Sequence, residues 1–594
     1  MIRTPLRPLA RVLPARARGE NPDLIERENI AHRHRDMEAR ARVRAEGRLL
    51  VLAAFFVCAY LAVGGRMAFM ATSEASEPVA AIGGSAIANQ RADIVDRAGR
   101  ILATNFETHS LYAQPPQMVD PVSAADKLVA IFPDLDREKL LENFTGKRKF
   151  LWIKRKISPE QMQAVHDIGD PGLMFGPREM RLYPNGRLAS HVLGGASFGK
   201  EGVNAAEVIG VAGVEKQFDE LLRDPANAGK PLTLSLDLSI QDATEELLYG
   251  GMKLMNAKGA TSILMDVHTG EVISVASLPD FDPNERPRPP TSGFDPSQSP
   301  LFNRSVQGVY ELGSTFKIFA AAQAMELGLV NPDSIIDIRG PLRWGKFTIR
   351  DFHNYGKELS VAKIIEKSSN IGTARLAQQI GAERQRAFLD DLGMLKATPF
   401  EIVEASGGQP LLPKNWSELS AMTISYGHGI STTPMHLAAG YAAIANGGHY
   451  VAPTILKQNG PQLGPRVMRR EVADASLAML RAVVSEGTAS FAEVKGYEVG
   501  GKTGTADKPK PRGGYYEDKV IATFASVFPV SDPKYVLVVT LDEPEIVAHN
   551  EARRTAGWTA APVAAEMIAR LAPLLGLRPQ IEPTRISSVT LTSN

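Results

Sequence analysis

The sequence predicts a membrane-tethered protein of mixed α/β class, in the α+β arrangement, with a single N-terminal transmembrane helix and two units beyond it. Three observations carry that reading. At 594 residues the chain is too long for one ordinary domain. One run of 17 uncharged residues, Leu49 to Gly65, is long enough for a bilayer. Downstream of it the hydrophobic period changes from strand to helix and back to strand.

Residues 1–48 are set apart by charge. A dozen arginines and no lysine lie between Arg3 and Arg48, interleaved with prolines and with acids such as Glu20, Asp23, Glu26 and Glu28. Such a tail is expected to be mobile. The apolar run follows, and after Arg66 a further turn, "MAFMA", extends the segment to residue 72. A core helix fits poorly beside so arginine-rich a flank, and a cleaved signal peptide seldom carries so long a charged leader. The remaining choice is a membrane anchor over 49–72, with residues 1–48 on the cytoplasmic side and the rest outside, in a bacterium the periplasm. No second span is visible.

The average composition conceals this asymmetry: 44% apolar, 22% charged, net charge +1. It is globular and gives no reason to expect a nucleic-acid partner. The single cysteine, Cys58, falls inside the anchor. The outer part therefore has no thiol for a disulfide, a cysteine nucleophile or a thiolate zinc site.

Residues 73–90 are small, polar and glycine-bearing, as a linker is. A unit at 91–230 opens on "RADIVDRAGRILATN", where apolar alternation around an Asp-Arg-Ala-Gly turn predicts a hairpin. It carries no metal-ligand or phosphate-cradle motif and reads as a rigid spacer or docking module. The unit at 231–576 starts with strand alternation that turns helical after Asp237. "ATSILMDVHTGEVISVASLP" reads as two strands joined at His-Thr-Gly, and helical patterns dominate from Ser314 to Asn446. Strands return in "YEVGGKTGTA", "VIATFASVFP" and "YVLVVTLDE", before a helix at "APVAAEMIARLAPLLG" and a tail over 577–594. Strands at both ends with helices between imply one sheet closed by distant parts of the chain.

Four Ser-x-x-Lys patterns compete for chemistry. Ser197 to Lys200 is hemmed by glycines and Ser531 to Lys534 contains a proline, so neither holds its pair on a helix face. Ser360 to Lys363 precedes an amphipathic run, the usual place of an N-cap serine. Ser314 and Lys317 differ, because a long apolar helix follows them. A lysine at the positive end of a buried helix is destabilised in its charged form. Desolvation adds to that effect, and a neutral amine can take a proton from a hydroxyl one turn away.

Downstream, in order, come "SSN" at Ser368 to Asn370 and "KTGT" at Lys502 to Thr505. Each piece is common, whereas the ordered set Ser-x-x-Lys, Ser-x-Asn, Lys-Thr-Gly is a signature of penicillin-recognising acyl-serine enzymes. With "RADIVDRAGRILA", "REMRLYPNGRLASHVLG", "GVEKQFDELL", "MDVHTGEVISVASLPDFDPN" and "SYGHGISTTPMHLAAGYAAIANGG", the outer chain resembles a class B penicillin-binding protein almost throughout. Two departures stand out: Ala92 where the family usually has glycine, and Leu312 where proline usually precedes Gly-Ser, which is expected to leave that loop less rigid.

The resemblance implies an elongated pedestal over 91–230 and a penicillin-binding transpeptidase domain over 231–576, with a β-lactamase-like sheet flanked by helices. It implies acyl transfer from a D-Ala-D-Ala stem peptide, with Ser314 as nucleophile, Lys317 as base, Ser368 as proton relay and Lys502 as a neighbouring positive charge. Asn370 would bind the peptide donor. Thr503 and Thr505, on one face of a strand, would receive the terminal carboxylate, and Gly504 would let substrate backbone approach. The backbone N–H groups of Ser314 and Thr505 would hold the oxyanion. Implied partners are peptidoglycan, β-lactams, the inner membrane, the septal glycosyltransferase and other division proteins; no cofactor or metal is indicated. The stretch "KTGTADKP" through "VTLDEP" is more similar to the division type than to the elongation type. A D,D-carboxypeptidase or β-lactamase would share the three motifs, but no Glu-x-x-Leu-Asn pattern accompanies them. A non-catalytic penicillin sensor or scaffold would not need the intact set. His428 and His436 show no metal-binding spacing and are expected to be packing or surface residues.

Overall fold

A computed structural model of the chain describes residues 9–72, 91–201, 206–227, 229–289, 295–510 and 513–580. The expected linker at 73–90 and residues 581–594 of the expected tail lie outside the described residues. The chain divides into two compact units, Met1–Pro78 and Val79–Asn594.

The first unit is helical. A short helix α1 (Leu9–Ala17) precedes α2 (Asp23–Thr72), a continuous helix of 50 residues. The arginine-rich segment expected to be mobile is thus helical over most of its length. Its sequence explains why: from Asp23 to Arg48 there is no proline, Asp23 and Glu26 sit in the first turn, and Ala, Arg and Glu are strong helix formers. Within α2, Glu46–Gly65 has a mean hydropathy of 2.0, and this is the one helix among the described residues long and apolar enough to cross a membrane.

The second unit begins with the expected hairpin. Ile94 and Val95 pair antiparallel with Ala103 and Ile101 across the Asp-Arg-Ala-Gly turn. The buried Asp96 carboxylate closes the turn, accepting from the backbone of Ala98 and Arg100 and from the Arg100 guanidinium. The long strand β1 (Ile101–Ala113) then pairs with β2 (Leu151–Ile157) and β3 (Leu173–Leu182). Leu111, Leu128, Phe132 and Phe144 give this lobe a small core of its own. Its base is not separate: Ile94, Leu102, Val214 and Leu222 belong to the large core downstream, and Ile94–Val95 pair parallel with Leu232–Thr233.

The large core surrounds a five-stranded antiparallel sheet. Helix α3 (Leu238–Leu254) leads into β4 (Gly259–Asp266) and β5 (Val272–Leu278), joined by the His-Thr-Gly turn. The helical section follows, with α4 (Lys317–Glu326), α5 (Val361–Lys367), α6 (Asn370–Ile380) and α7 (Pro434–Ala445). Helix α8 (Arg470–Ser485) precedes β6 (Gly500–Pro509), β7 (Tyr515–Phe528), β8 (Tyr535–Asp542) and a last helix α9 (Ala560–Leu574). The strand order is β6-β7-β8-β4-β5, so β8 pairs with β4 from Tyr535↔Asp266 to Asp542↔Gly259. Consecutive residues of β4 and β8 are buried, so the sheet is covered on both faces. Each large side chain fully buried there contributes about 1.5–3 kcal/mol. The "KTGT" motif lies on the edge strand of this sheet.

Two small hairpins interrupt the section where helical patterns were expected to dominate. Ile335–Asp337 pairs with Glu358–Ser360, and Leu342–Trp344 pairs with Phe347–Ile349. Gly345, at φ +58°, supplies the tight turn of the second.

Candidate active site

Ser314 enters the site on a 3-10 turn, Gly313–Phe316, and the α-helix proper starts at Lys317, one turn later than expected. Gly313 has φ +56°, and a Cβ there would stand 2.8 Å from the Thr505 carbonyl oxygen and 3.2 Å from its nitrogen. The turn is therefore pressed against the edge of β6. Three further contacts fix it: Tyr441 donates its hydroxyl to the Thr315 carbonyl at 2.9 Å, Thr315 donates to the Leu312 carbonyl at 2.8 Å, and Gly313 N–H reaches the Gly427 carbonyl at 3.2 Å. Leu312 is buried, so these contacts hold the turn where a proline ring is missing.

Gly504 is pressed against this chain's own backbone. A Cβ on it would lie 2.2 Å from the Leu312 carbonyl oxygen and 2.8 Å from Thr315 Cγ2, so the backbone that approaches closely is this chain's own nucleophile turn. Gly504→Ala should accordingly displace the turn. The expected outcome is a loss of about 1–3 kcal/mol of stability with at least a tenfold fall in the rate of β-lactam acylation, read by calorimetry and stopped-flow labelling.

Ser368 is the meeting point. It caps the end of α5 with φ +61°, a left-handed conformation rare outside glycine and costing of order 1 kcal/mol or more. That bend turns its hydroxyl toward two amines. Lys317 Nζ and Lys502 Nζ each lie 3.0 Å from Ser368 Oγ; Lys317 also donates to the Ser368 carbonyl, and Lys502 to the Thr503 carbonyl at 3.1 Å. Both lysines are fully buried, and neither has a carboxylate partner among the described residues. A buried cation without a counter-ion is costly enough that loss of the proton is the cheaper solution. Burial, and then the neighbouring charge of Lys502, hold the Lys317 amine well below the ordinary lysine range, against a weaker pull from Asp351. Burial alone pushes Lys502 down to about 7.

The expected contact between Ser314 and Lys317 is not formed: among the described residues the Ser314 hydroxyl has no hydrogen-bond partner, and Lys317 is engaged by Ser368 instead. The carbonyl of Ser368 is the stronger acceptor for a desolvated amine, and such catalytic contacts often tighten only when substrate is bound. Asn370 is brought to the same place. It opens α6 rather than ending a helix, and its side-chain amide donates to the Arg350 carbonyl at 2.9 Å. On β6 the Thr505 hydroxyl accepts from the Ala556 N–H at 2.9 Å, and the Thr503 hydroxyl lies 3.2 Å from that of Thr488. Each retains bonding capacity toward a ligand.

Asp351 was missed by sequence reasoning. Its carboxylate accepts from the Ser369 hydroxyl at 2.7 Å and from the backbone N–H groups of Asn370 and Ile371 at 2.6 and 3.0 Å. It thereby locks the Ser-Ser-Asn junction to the loop at 350–357 and complements the positive end of α6. No local motif marks it; an acid among the five cations of Ile338 to Lys357 was the available signal.

The competing serines are accounted for. Ser360 is the N-cap of α5, its hydroxyl accepting from Lys363 N–H at 3.2 Å, while Lys363 pairs with Glu366. Ser197 lies in a strand and Ser531 in a bend. His436 is buried against the Thr433 cap and the Lys396 carbonyl, and burial pushes its pKa down to about 4; it is a packing residue. His428 is half-buried beside Tyr426.

A serine on a tight turn, two buried amines on a second serine and a Thr-Gly-Thr sheet edge define an acyl-serine transferase site. The chain belongs to the penicillin-binding protein family: the penicillin binding protein transpeptidase domain matches residues 260–569, and the penicillin-binding protein dimerisation domain matches 86–229. Within it the similarity runs to the FtsI type of class B. The probable peptidoglycan D,D-transpeptidase FtsI of Caulobacter vibrioides is 32% identical over 510 residues, 84% of this chain and 83% of that protein. The peptidoglycan D,D-transpeptidase FtsI of Escherichia coli K12 is 28% identical over 488 residues, covering 77% of this chain and 80% of that one. Among solved structures, penicillin binding protein 3 of Mycobacterium tuberculosis, complexed with aztreonam, matches with a TM-score of 0.61 at 25% identity, over 83% of this chain and 98% of that one.

Proposed function

We propose that this chain is a septal peptidoglycan D,D-transpeptidase, anchored in the inner membrane, that cross-links stem peptides through an acyl-serine intermediate and is inhibited by β-lactams. The observation that carries the reading is the convergence of Lys317 and Lys502 on Ser368 Oγ, with Lys317 one turn along the chain from a Ser314 hydroxyl that has no hydrogen-bond partner among the described residues. Neutral Lys317 takes the Ser314 proton as Oγ attacks the penultimate D-alanine carbonyl. The charge developing on oxygen falls to the N–H groups of Ser314 and Thr505, whose backbones adjoin at Gly313. As the C–N bond breaks, the proton passes through Ser368 to the leaving D-alanine amine. An acceptor amine on a second strand then attacks the ester, forming the cross-link and freeing Ser314. Asn370 binds the donor peptide, and Thr503 and Thr505 take its terminal carboxylate beside Lys502, whose charged form that carboxylate favours.

The same proposal divides the chain into a cytoplasmic segment at 1–48, an anchor at 49–72, a linker at 73–90, a pedestal at 91–230, the transpeptidase domain at 231–576 and a tail at 577–594. The arginine excess before Leu49 supports an inner N-terminus, and similarity to FtsI supports a septal role with a glycosyltransferase and other division proteins as partners. One strain tests both. An N-terminal fluorescent protein that matures only in the cytoplasm should glow and gather at midcell of a rod-shaped host, and depletion should stop constriction while elongation continues, giving filaments. A dark fusion would overturn the topology. Rounded cells with lateral signal would assign the enzyme to elongation.

A further inference from the structure

The two unexpected hairpins build a second concave surface next to the site. A groove of about 740 Å³ is lined by residues 338–341 and 350–357, Asp351 among them, and by Ile371. From Ile338 to Lys357 the sequence holds five cations and one acid. The acid, Asp351, is spent on the Ser-Ser-Asn junction. Arg339 is paired with Asp337, but Arg350 and Lys357 have no acidic partner among the described residues and stand exposed at the groove. Beside them Phe352 is 84% exposed, edge-on to His353, which in turn packs edge-on to Tyr355. An aromatic side chain so exposed, flanked by unpaired cations, is unfavourable unless something covers it.

We propose that this groove binds the acceptor strand of peptidoglycan, its cations taking the free carboxylates of the stem peptides and its aromatic rings lying against the apolar faces of the sugars. The inference rests on the transpeptidase reading. Charge complementarity favours this occupant, since un-cross-linked strands carry repeated carboxylates and the groove presents Arg350 and Lys357 without acidic partners among the described residues. Position favours it as well: Asp351, part of the groove lining, holds Ser369 and Asn370, so a strand seated there lies beside the Ser-Ser-Asn junction. No new bond is made in the groove; it supplies proximity for the amine that attacks the acyl-enzyme.

The test uses full-length protein in detergent, first acylated with penicillin so that the donor site is closed, and soluble un-cross-linked glycan strands bearing pentapeptides. The acylated wild type should bind the strands. Binding should weaken by about tenfold or more in the double variant Arg350→Glu, Lys357→Glu and in Phe352→Ala, and also when the strand carboxylates are converted to amides. In turnover, cross-linking by the double variant should fall by a factor at least about ten times larger than its β-lactam acylation rate falls. Equal strand binding by wild type and double variant, or parallel falls in acylation and cross-linking, would overturn the groove. So would a variant that loses binding to phosphatidylglycerol vesicles while keeping the strands. A wild type that no β-lactam acylates would instead count against the transpeptidase reading, and strand binding by the unacylated variants still decides the groove.

Discussion

Ser314→Ala should leave a folded protein that no labelled β-lactam acylates, with turnover reduced by a factor of about a thousand or more. The hydroxyl stands on the turn pressed against the edge of β6 and carries no hydrogen bond among the described residues, whereas the Ser368 hydroxyl is engaged by both amines. Ser360→Ala supplies the contrast. It removes an N-cap, worth about 1 kcal/mol, and should lower the melting temperature slightly while labelling persists. Mass spectrometry of the adduct decides: a β-lactam on Ser360, or none on folded wild type, would remove Ser314 from its role.

The second large effect concerns pH. Lys317 serves as base only when neutral, so the acylation rate should rise with pH through the joint titration of the two buried amines and fall away on the acid side as they are protonated. Burial is the main cause of the depressed Lys317 pKa and the charge of Lys502 the next. Lys502→Met keeps the burial and removes the charge, so Lys317 should hold its proton more readily. The acid limb of the profile should therefore move to higher pH, and the lost contact to Ser368 should reduce the rate by about 10- to 100-fold across the range. Stopped-flow acylation at a series of pH values measures both. A limb that stays in place, or moves down, would mean that Lys317 is not the titrating base.

Much of this is legible in the sequence itself. The sheet could be read from short, nearly continuous apolar runs at both ends of the outer domain, because strands buried on both faces leave such runs. The three motifs could be read because their residue types are tied to chemistry and their order is fixed. What could not be read is how they touch. Ser368 reaches both lysines only through a left-handed backbone, which no residue in "EKSSN" announces. Gly504 was assigned to substrate because a lone glycine says that something approaches, not what. Asp351 and the hairpins at 335–360 escaped for a related reason: strands of three residues are shorter than any period that can be counted, and their partners are set by tertiary contacts.

The pairing of β8 with β4 joins residues about 270 positions apart, and β6 reaches the sheet only through β7 and β8. Contacts of such sequence separation raise contact order and slow folding. In a chain delivered amino-terminus first, β4 and β5 emerge long before their partner and must wait as an unpaired hydrophobic hairpin. The edge that carries Lys502 cannot be seated until residue 542 has arrived. The nucleophile turn, which leans on that edge at Gly313 and Gly504, is therefore among the last features to form. A truncated or stalled chain would be aggregation-prone yet chemically silent, so reactivity is withheld until synthesis of the catalytic domain is complete.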